Sequence, residues 1–181
     1  MTRYCRLTCF MLLVFTLPFV AACTGIADQV TPVPNFELPR YLGRWYEIAR
    51  LDHAFERGLT HITADYSLRD DGGVKVVNRG YDEEAGSWEE AQGKAYFVKS
   101  DDKGYLKVSF FGPFYGSYVI FELDENYQWA FVTSYNKNYL WLLSRTPQVQ
   151  PAVLQDFLSM ARELGYDTDE LIYVRQEGKA L

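Results

Sequence analysis

Cys23, His53 and His61 carry the side chains of this sequence best suited to chemistry near neutral pH. A thiol can act as a nucleophile, a metal ligand, half of a disulfide or an acylation site. The two histidines flank no serine or cysteine arranged for nucleophilic catalysis. No His, Cys and carboxylate cluster has metal-ligand spacing, and no glycine loop has the phosphate-cradling pattern. No cofactor is therefore expected. A carboxylate pair working as acid and base stays open, so a lipid-modifying enzyme is kept as an alternative.

The surroundings of Cys23 point to acylation. Arg3 and Arg6 open the chain, and an apolar run from Phe10 to Val20 follows, broken by Thr16 and Pro18. Small residues then precede the cysteine in Phe19-Val20-Ala21-Ala22-Cys23. A basic head, an apolar middle and small residues before a cut make a secretory signal. The run is too short and too interrupted to be a spanning helix. The cysteine makes the site resemble a bacterial lipobox, in which that residue is acylated and becomes the new N-terminus. Residues 1–22 are read as the signal and Cys23 as the lipid anchor to a membrane. Two or more acyl chains give stable anchoring, whereas one is marginal. Thr24 is not an aspartate. In lipoproteins resembling this one, that implies sorting to the outer membrane, with the folded domain in the periplasm.

Loss of Arg3 and Arg6 with the signal takes the net charge from −6 to −8. Such an acidic chain is a poor partner for nucleic acid. Cys5 and Cys9 leave with the signal, so no disulfide can form within the remaining chain. Stability must come from packing, and 14 Tyr, 12 Phe and 4 Trp supply large rings for it.

The elements that must position any site begin after residues 23–35, which contain Pro32 and Pro34, show no periodicity and read as a flexible tether. Fully extended, it would reach roughly 40 Å. Short β-rich runs then alternate with turn signals, at 44–50, 62–68, 74–80, 87–98, 105–111, 117–123, 129–135 and 139–144. Asp70-Asp71-Gly72-Gly73, Glu83-Glu84-Ala85-Gly86 and Asp101-Asp102-Lys103-Gly104 are tight-turn compositions. Only the connection over 51–61 is long. Eight strands joined mostly by hairpins predict an all-β fold, an antiparallel up-and-down barrel, because closure removes exposed edges. Val153, Leu154, Phe157, Leu158, Ala161 and Leu164 fall at helical spacing between Pro151 and Gly165. This predicts one helix, about 150–164, packed outside the barrel. A short strand over 171–175 and a tail over 177–181 follow.

Alternation sets the faces. Leu106, Val108 and Phe110 share one face of their run, and Lys107 and Ser109 share the other. Lys75 and Arg79 also share a face, which would be costly against lipid. The polar face therefore meets water and the apolar face lines a lumen that packs with side chains or holds one small ligand.

Gly43-Arg44-Trp45 opens the first strand and Arg145 ends the eighth. Together with Tyr41-Leu42-Gly43-Arg44-Trp45-Tyr46-Glu47-Ile48-Ala49-Arg50 and Tyr139-Leu140-Trp141-Leu142-Leu143-Ser144-Arg145-Thr146-Pro147, this resembles the lipocalin family over nearly all of 35–176, with the barrel domain expected over 36–176. The family's Thr-Asp-Tyr motif is altered here to Leu123-Asp124-Glu125-Asn126-Tyr127. The resemblance implies a structural floor of Gly43, Trp45 and Arg145, with Arg145 packed across Trp45. It also implies binding and transport of a fatty acid or lysophospholipid. With Trp45 inward, strict alternation turns Glu47 and Ala49 inward too, with Ala64 and Leu68 on the neighbouring run. Candidate ligand contacts are Tyr66, Asn78, Val108, Phe110, Tyr118, Ile120, Tyr139 and Trp141, and Glu47 would be a buried carboxylate. Partners are then the lipid and the membrane through Cys23, with a homodimer left open. A purely structural envelope role is the other alternative.

Overall fold

The computed structural model describes residues 24–176; the expected signal over 1–22, the expected anchor Cys23 and the tail over 177–181 lie outside the described residues. A short helix α1 (Leu38–Tyr41) precedes strands β1 (Gly43–Arg50), β2 (Leu59–Leu68), β3 (Val74–Asp82), β4 (Ser87–Phe97), β5 (Tyr105–Ser109), β6 (Gly116–Leu123), β7 (Trp129–Thr133) and β8 (Leu140–Ser144). Helix α2 (Pro151–Glu163), a 3-10 turn (Thr168–Glu170) and strand β9 (Ile172–Tyr173) complete the chain. Neighbouring strands pair antiparallel from β2 through β8, β8 pairs with β1, and β1 pairs with β2. The ring is an eight-stranded closed barrel, and β9 adds to β1 beside the ring.

The turn residues act as their chemistry requires. Asp82 accepts the backbone N–H of Glu84 and Ala85 at 2.8 and 2.9 Å. Gly86 takes φ +65°, a left-handed conformation that costs glycine little, and the chain re-enters as β4. At the barrel's closed end Gly43 takes φ +93° as α1 turns into β1.

Two cores share the barrel wall. The inner one gathers Trp45, Tyr66, Val76, Leu106, Ile120 and Leu143 with Phe36 and Tyr41 of the N-terminal segment. The outer one clamps α2 onto Phe131, Leu140 and Leu142 through Phe157, Leu158 and Ala161. The rings of Phe131 and Phe157 meet edge to face at 5.0 Å. Helix α2 ends as its Gly165 signal predicts. Gly165 takes φ +78°, and the Tyr166 N–H returns to the Ala161 carbonyl at 2.9 Å.

Strand parity fails at one informative place. β1 is bulged against β8 between Glu47 and Ala49, where Glu47 faces Leu143 but Ala49 faces Leu142. One extra residue reverses the parity beyond it. Ala49, expected inward, therefore packs in the outer core, and Arg50 turns to a buried position at 1% exposure. Leu68, also expected inward, is exposed at the end of β2.

Residues 24–35 are not the free tether expected. The Tyr105 and Ser117 hydroxyls donate to the carbonyls of Thr24 and Gly25. Ala27 N–H bonds the Ser134 carbonyl at 3.1 Å, and Val33 N–H bonds Ile120 at 2.9 Å. The physical reason is a vacant ladder position. β5 begins at Tyr105 opposite Val119, so β6 beyond Val119 keeps β7 on one side but has no β5 neighbour on the other, and Val33 satisfies the Ile120 carbonyl.

Candidate functional site: an apolar cup with a charged rim

The closed end is built around Trp45, which is fully buried. Its indole N–H donates to the Tyr41 carbonyl at 2.8 Å, tying β1 to α1. Arg145, from the end of β8, lays its guanidinium 4.0 Å from the Trp45 ring centroid. It donates from Nη1 to the Arg44 carbonyl (2.9 Å), from Nη2 to Arg40 (2.7 Å) and from Nε to Tyr127 (3.2 Å). One planar fork thus joins α1, β1 and the β6–β7 turn. The altered Leu123–Tyr127 stretch still reaches this floor. Tyr127 is buried, its hydroxyl accepts the Glu37 N–H at 2.9 Å, and Arg40 stacks 4.1 Å from its ring.

Above the floor lies a cavity of about 110 Å³. Of the sequence-predicted contacts, Tyr66, Asn78, Val108, Phe110, Tyr118 and Trp141 line it, together with Ala64, Val76, Leu106 and Leu143. Ile120 and Tyr139 do not. Ile120 is fully buried in the packed inner core beside Gly104, where a Cβ on residue 104 would come within 2.9 Å of its own. Tyr139 precedes β8 and stacks at the rim with His53 and Trp141, at 5.7 and 6.0 Å.

Two polar groups interrupt the apolar wall. Near the floor three hydroxyls join, Tyr41 to Tyr118 at 2.7 Å and Tyr66 to Tyr118 at 2.9 Å. Burial, followed for Tyr41 and Tyr118 by the neighbouring tyrosines, raises the pKa of all three, so they stay neutral. The second group sits at the opposite end, under the loop over 51–58 that leads from β1 to β2. Glu47 Oε1 is 3.3 Å from Arg50 Nε, and Glu56 Oε2 is 3.7 Å from the same atom. Arg50 Nη2 donates to the Glu56 carbonyl at 2.6 Å, and Trp141 Nε1 donates to Glu56 Oε2 at 3.3 Å. His53 Nδ1 lies 3.3 Å from Glu56 Oε2, and its ring stacks on Phe55 at 4.4 Å.

This cluster is buried, and burial governs its protonation. Desolvation, then the charge of Glu56, raises the Glu47 pKa, and Arg50 only partly opposes it. Burial pushes Glu56 up to about 7 against the pull of Trp141 and Arg50. Burial and the Arg50 charge hold His53 down at about 4, so its imidazole is neutral. His53, although it stands in the loop over 51–58, is 6% exposed. Arg50, His53, Phe55 and Glu56 are the site residues that sequence reasoning missed. One signal existed: an inward Glu47 demands a cation, and β1 offers two, Arg44 and Arg50, each three residues from it.

The C-terminus completes the wall. Above the Tyr46–Thr63 pair the ladder between β1 and β2 stops. Gln176 Nε2 fills the gap, donating to the carbonyls of Glu47 (2.6 Å) and Ile62 (2.8 Å). Val174 N–H bonds Ile48, and His61 N–H bonds Arg175.

Among the described residues no His, Cys, Asp and Glu group is placed to hold a metal, and no helix is long and apolar enough to cross a membrane. The geometry is that of a cup with a sealed floor, a mostly apolar wall and a charged rim.

Known proteins resemble this chain. The chain is 62% identical over 156 residues to the outer membrane lipoprotein Blc of Vibrio cholerae, covering 86% of this chain and 91% of that one. It is 52% identical over 161 residues to the outer membrane lipoprotein Blc of Escherichia coli K12, covering 88% and 91%. Apolipoprotein D of Rattus norvegicus is 31% identical over 131 residues, 66% of each chain. Insecticyanin of the tobacco hornworm superposes with a TM-score of 0.66 at 19% identity, over 83% of this chain and 86% of that one. The likeness to the two bacterial lipoproteins spans nearly their whole length and supports an outer-membrane, lipid-anchored localisation. The Lipocalin-like domain family matches residues 36–176, and with the sealed floor, closed barrel and outer helix in place, this chain belongs to the lipocalin family.

Proposed function

We propose that this protein is a lipid-anchored carrier that stores or transports a fatty acid or lysophospholipid in its cup, in the service of envelope maintenance. One observation carries the reading: a cavity walled by Val76, Leu106, Val108, Phe110 and Leu143 is sealed at the Trp45 end and meets ionisable groups at the other. An acyl chain has apolar surface to bury below, and a head group has polar partners above. Tyr66, Asn78, Val108, Phe110, Tyr118 and Trp141 are the proposed contacts. Cys23 carries the acyl anchor. Binding rather than catalysis is the proposed activity, in keeping with the lipocalin family.

Native mass spectrometry of gently purified, unacylated protein tests this. A co-purified or back-loaded single-chain lipid supports the carrier. A barrel that stays empty after incubation with lysophospholipid overturns it in favour of a structural envelope role.

A further inference from the structure

We propose that Glu47 and Glu56 form a head-group subsite that takes the ammonium of a single-chain amphiphile and disfavours a free carboxylate. The proposal rests on the carrier reading and narrows its ligand class.

The order of charges at the rim carries the inference. Glu47 and Glu56 line the cavity, whereas Arg50, 1% exposed, sits behind them and does not. A head group rising up the cup meets the two acids before it meets the cation. Two carboxylates share one guanidinium, so the cluster is one positive charge short of neutral when both are ionised. Glu47 Oε1 is close to Arg50 Nε but accepts no hydrogen bond. Asn78 Oδ1, which also belongs to the lining, is a buried acceptor with no donor. Buried acceptors without donors are rare and call for one. Trp141 Nε1 and Arg50 Nη2 both serve Glu56, while Arg50 Nε and Nη1 and the His53 ring nitrogens, which make no hydrogen bond, belong to side chains outside the cavity lining. An ammonium brings three donors and no acceptor, together with the missing charge. A fatty-acid carboxylate brings acceptors and a like charge into a low-dielectric site.

Protonation is how the empty site deals with its surplus charge. The raised pKa values of Glu47 and Glu56 mean that a proton stands in for the absent cation. The groups facing this pair are Arg50 from β1, His53 from the loop over 51–58 and Tyr66 from β2, with Asp52 of the same loop acting on His53. Glu56 changes charge near pH 7, so ammonium binding displaces its proton and strengthens as pH rises through 7.

The test uses three probes with one tail, dodecylamine, dodecanol and dodecanoate, displacing a neutral fluorescent lipid at pH 6 and pH 8. Dodecylamine should bind about tenfold tighter than dodecanol at pH 8, a charge-assisted hydrogen bond being worth at least that, and dodecanoate weakest. The amine's advantage should shrink at pH 6 and in Glu56→Gln and Glu47→Gln. Wild type alone decides the order if either variant fails to fold. Dodecanoate binding tightest, or equal affinity for all three, overturns the subsite while leaving the carrier standing. Displacement by none of them overturns both.

Discussion

The guanidinium of Arg145 stacks on the face of Trp45, 4.0 Å from the ring centroid, and its three nitrogens reach the carbonyls of Arg44, Arg40 and Tyr127. Residues a hundred positions apart thus lock α1, β1 and the β6–β7 turn into one floor. Arg145 supplies geometry as well as charge, because a lysine carries its three donors on one nitrogen and has no planar fork to stack on the ring.

The floor should therefore fail before the site does. Trp45→Ala removes a fully buried ring and should cost about 3–5 kcal/mol. Arg145→Lys should cost about 1–3 kcal/mol by leaving carbonyls unpaired. Thermal and urea unfolding measure both. A Trp45→Ala melting temperature within a degree or two of wild type would remove Trp45 from the floor.

Cys23→Ala should free the protein from membranes without unfolding it. The inner core is assembled from Phe36 onward, and the bonds made by Ala27 and Val33 do not need the anchor. Fractionation and circular dichroism of the variant check this, and continued sedimentation with membranes would refute the anchor.

Trp141 and Tyr118 occupy opposite ends of the cup, the first bonded to Glu56 at the rim and the second to Tyr41 and Tyr66 near the floor. Affinity should rise with acyl length until the cup is full, by apolar burial at about 25 cal/mol per Å² before binding costs. Trp141→Ala should weaken every chain length. A fluorescent displacement series at low and high salt measures both. Salt should change affinity little, because the rim charges are buried. Affinity indifferent to chain length would refute apolar burial as the source of binding.

The rim cluster should leave a pH signature in stability. Glu56 is raised to about 7 in the fold, so the folded protein holds a proton that the unfolded chain releases near pH 4.5. That stabilisation is full below pH 4.5 and is lost as pH rises through 7. His53, lowered to about 4, acts oppositely: its contribution is present above pH 6.5 and lost as pH falls toward 4. Above pH 6.5 only the Glu56 loss remains of these two. Glu56→Gln should thus raise the melting temperature relative to wild type more at pH 8 than at pH 5. Parallel melting curves across that range would show instead that Glu56 ionises normally.

Much of this architecture was legible along the chain. Eight alternating runs, the turn compositions at Gly72 and Gly86, and the apolar stripe ending at Gly165 specify strands, hairpins and one outer helix through local geometry alone. Trp45 and Arg145 were legible as a floor because a family pattern marks them. The tertiary structure decided the rim. Alternation holds only while pairing stays in register, and the bulge against Leu142 and Leu143 moves Ala49 out and Arg50 in. His53 and Glu56 stand in a loop without periodicity, so nothing in their spacing predicts burial beneath Phe55 and against Arg50. Val33 and Gln176 likewise owe their places to gaps, the first beside β6 and the second between β1 and β2. Such gaps exist only once the strands have met, and the chain ends fill them because an unpaired backbone carbonyl in a barrel wall must find a donor.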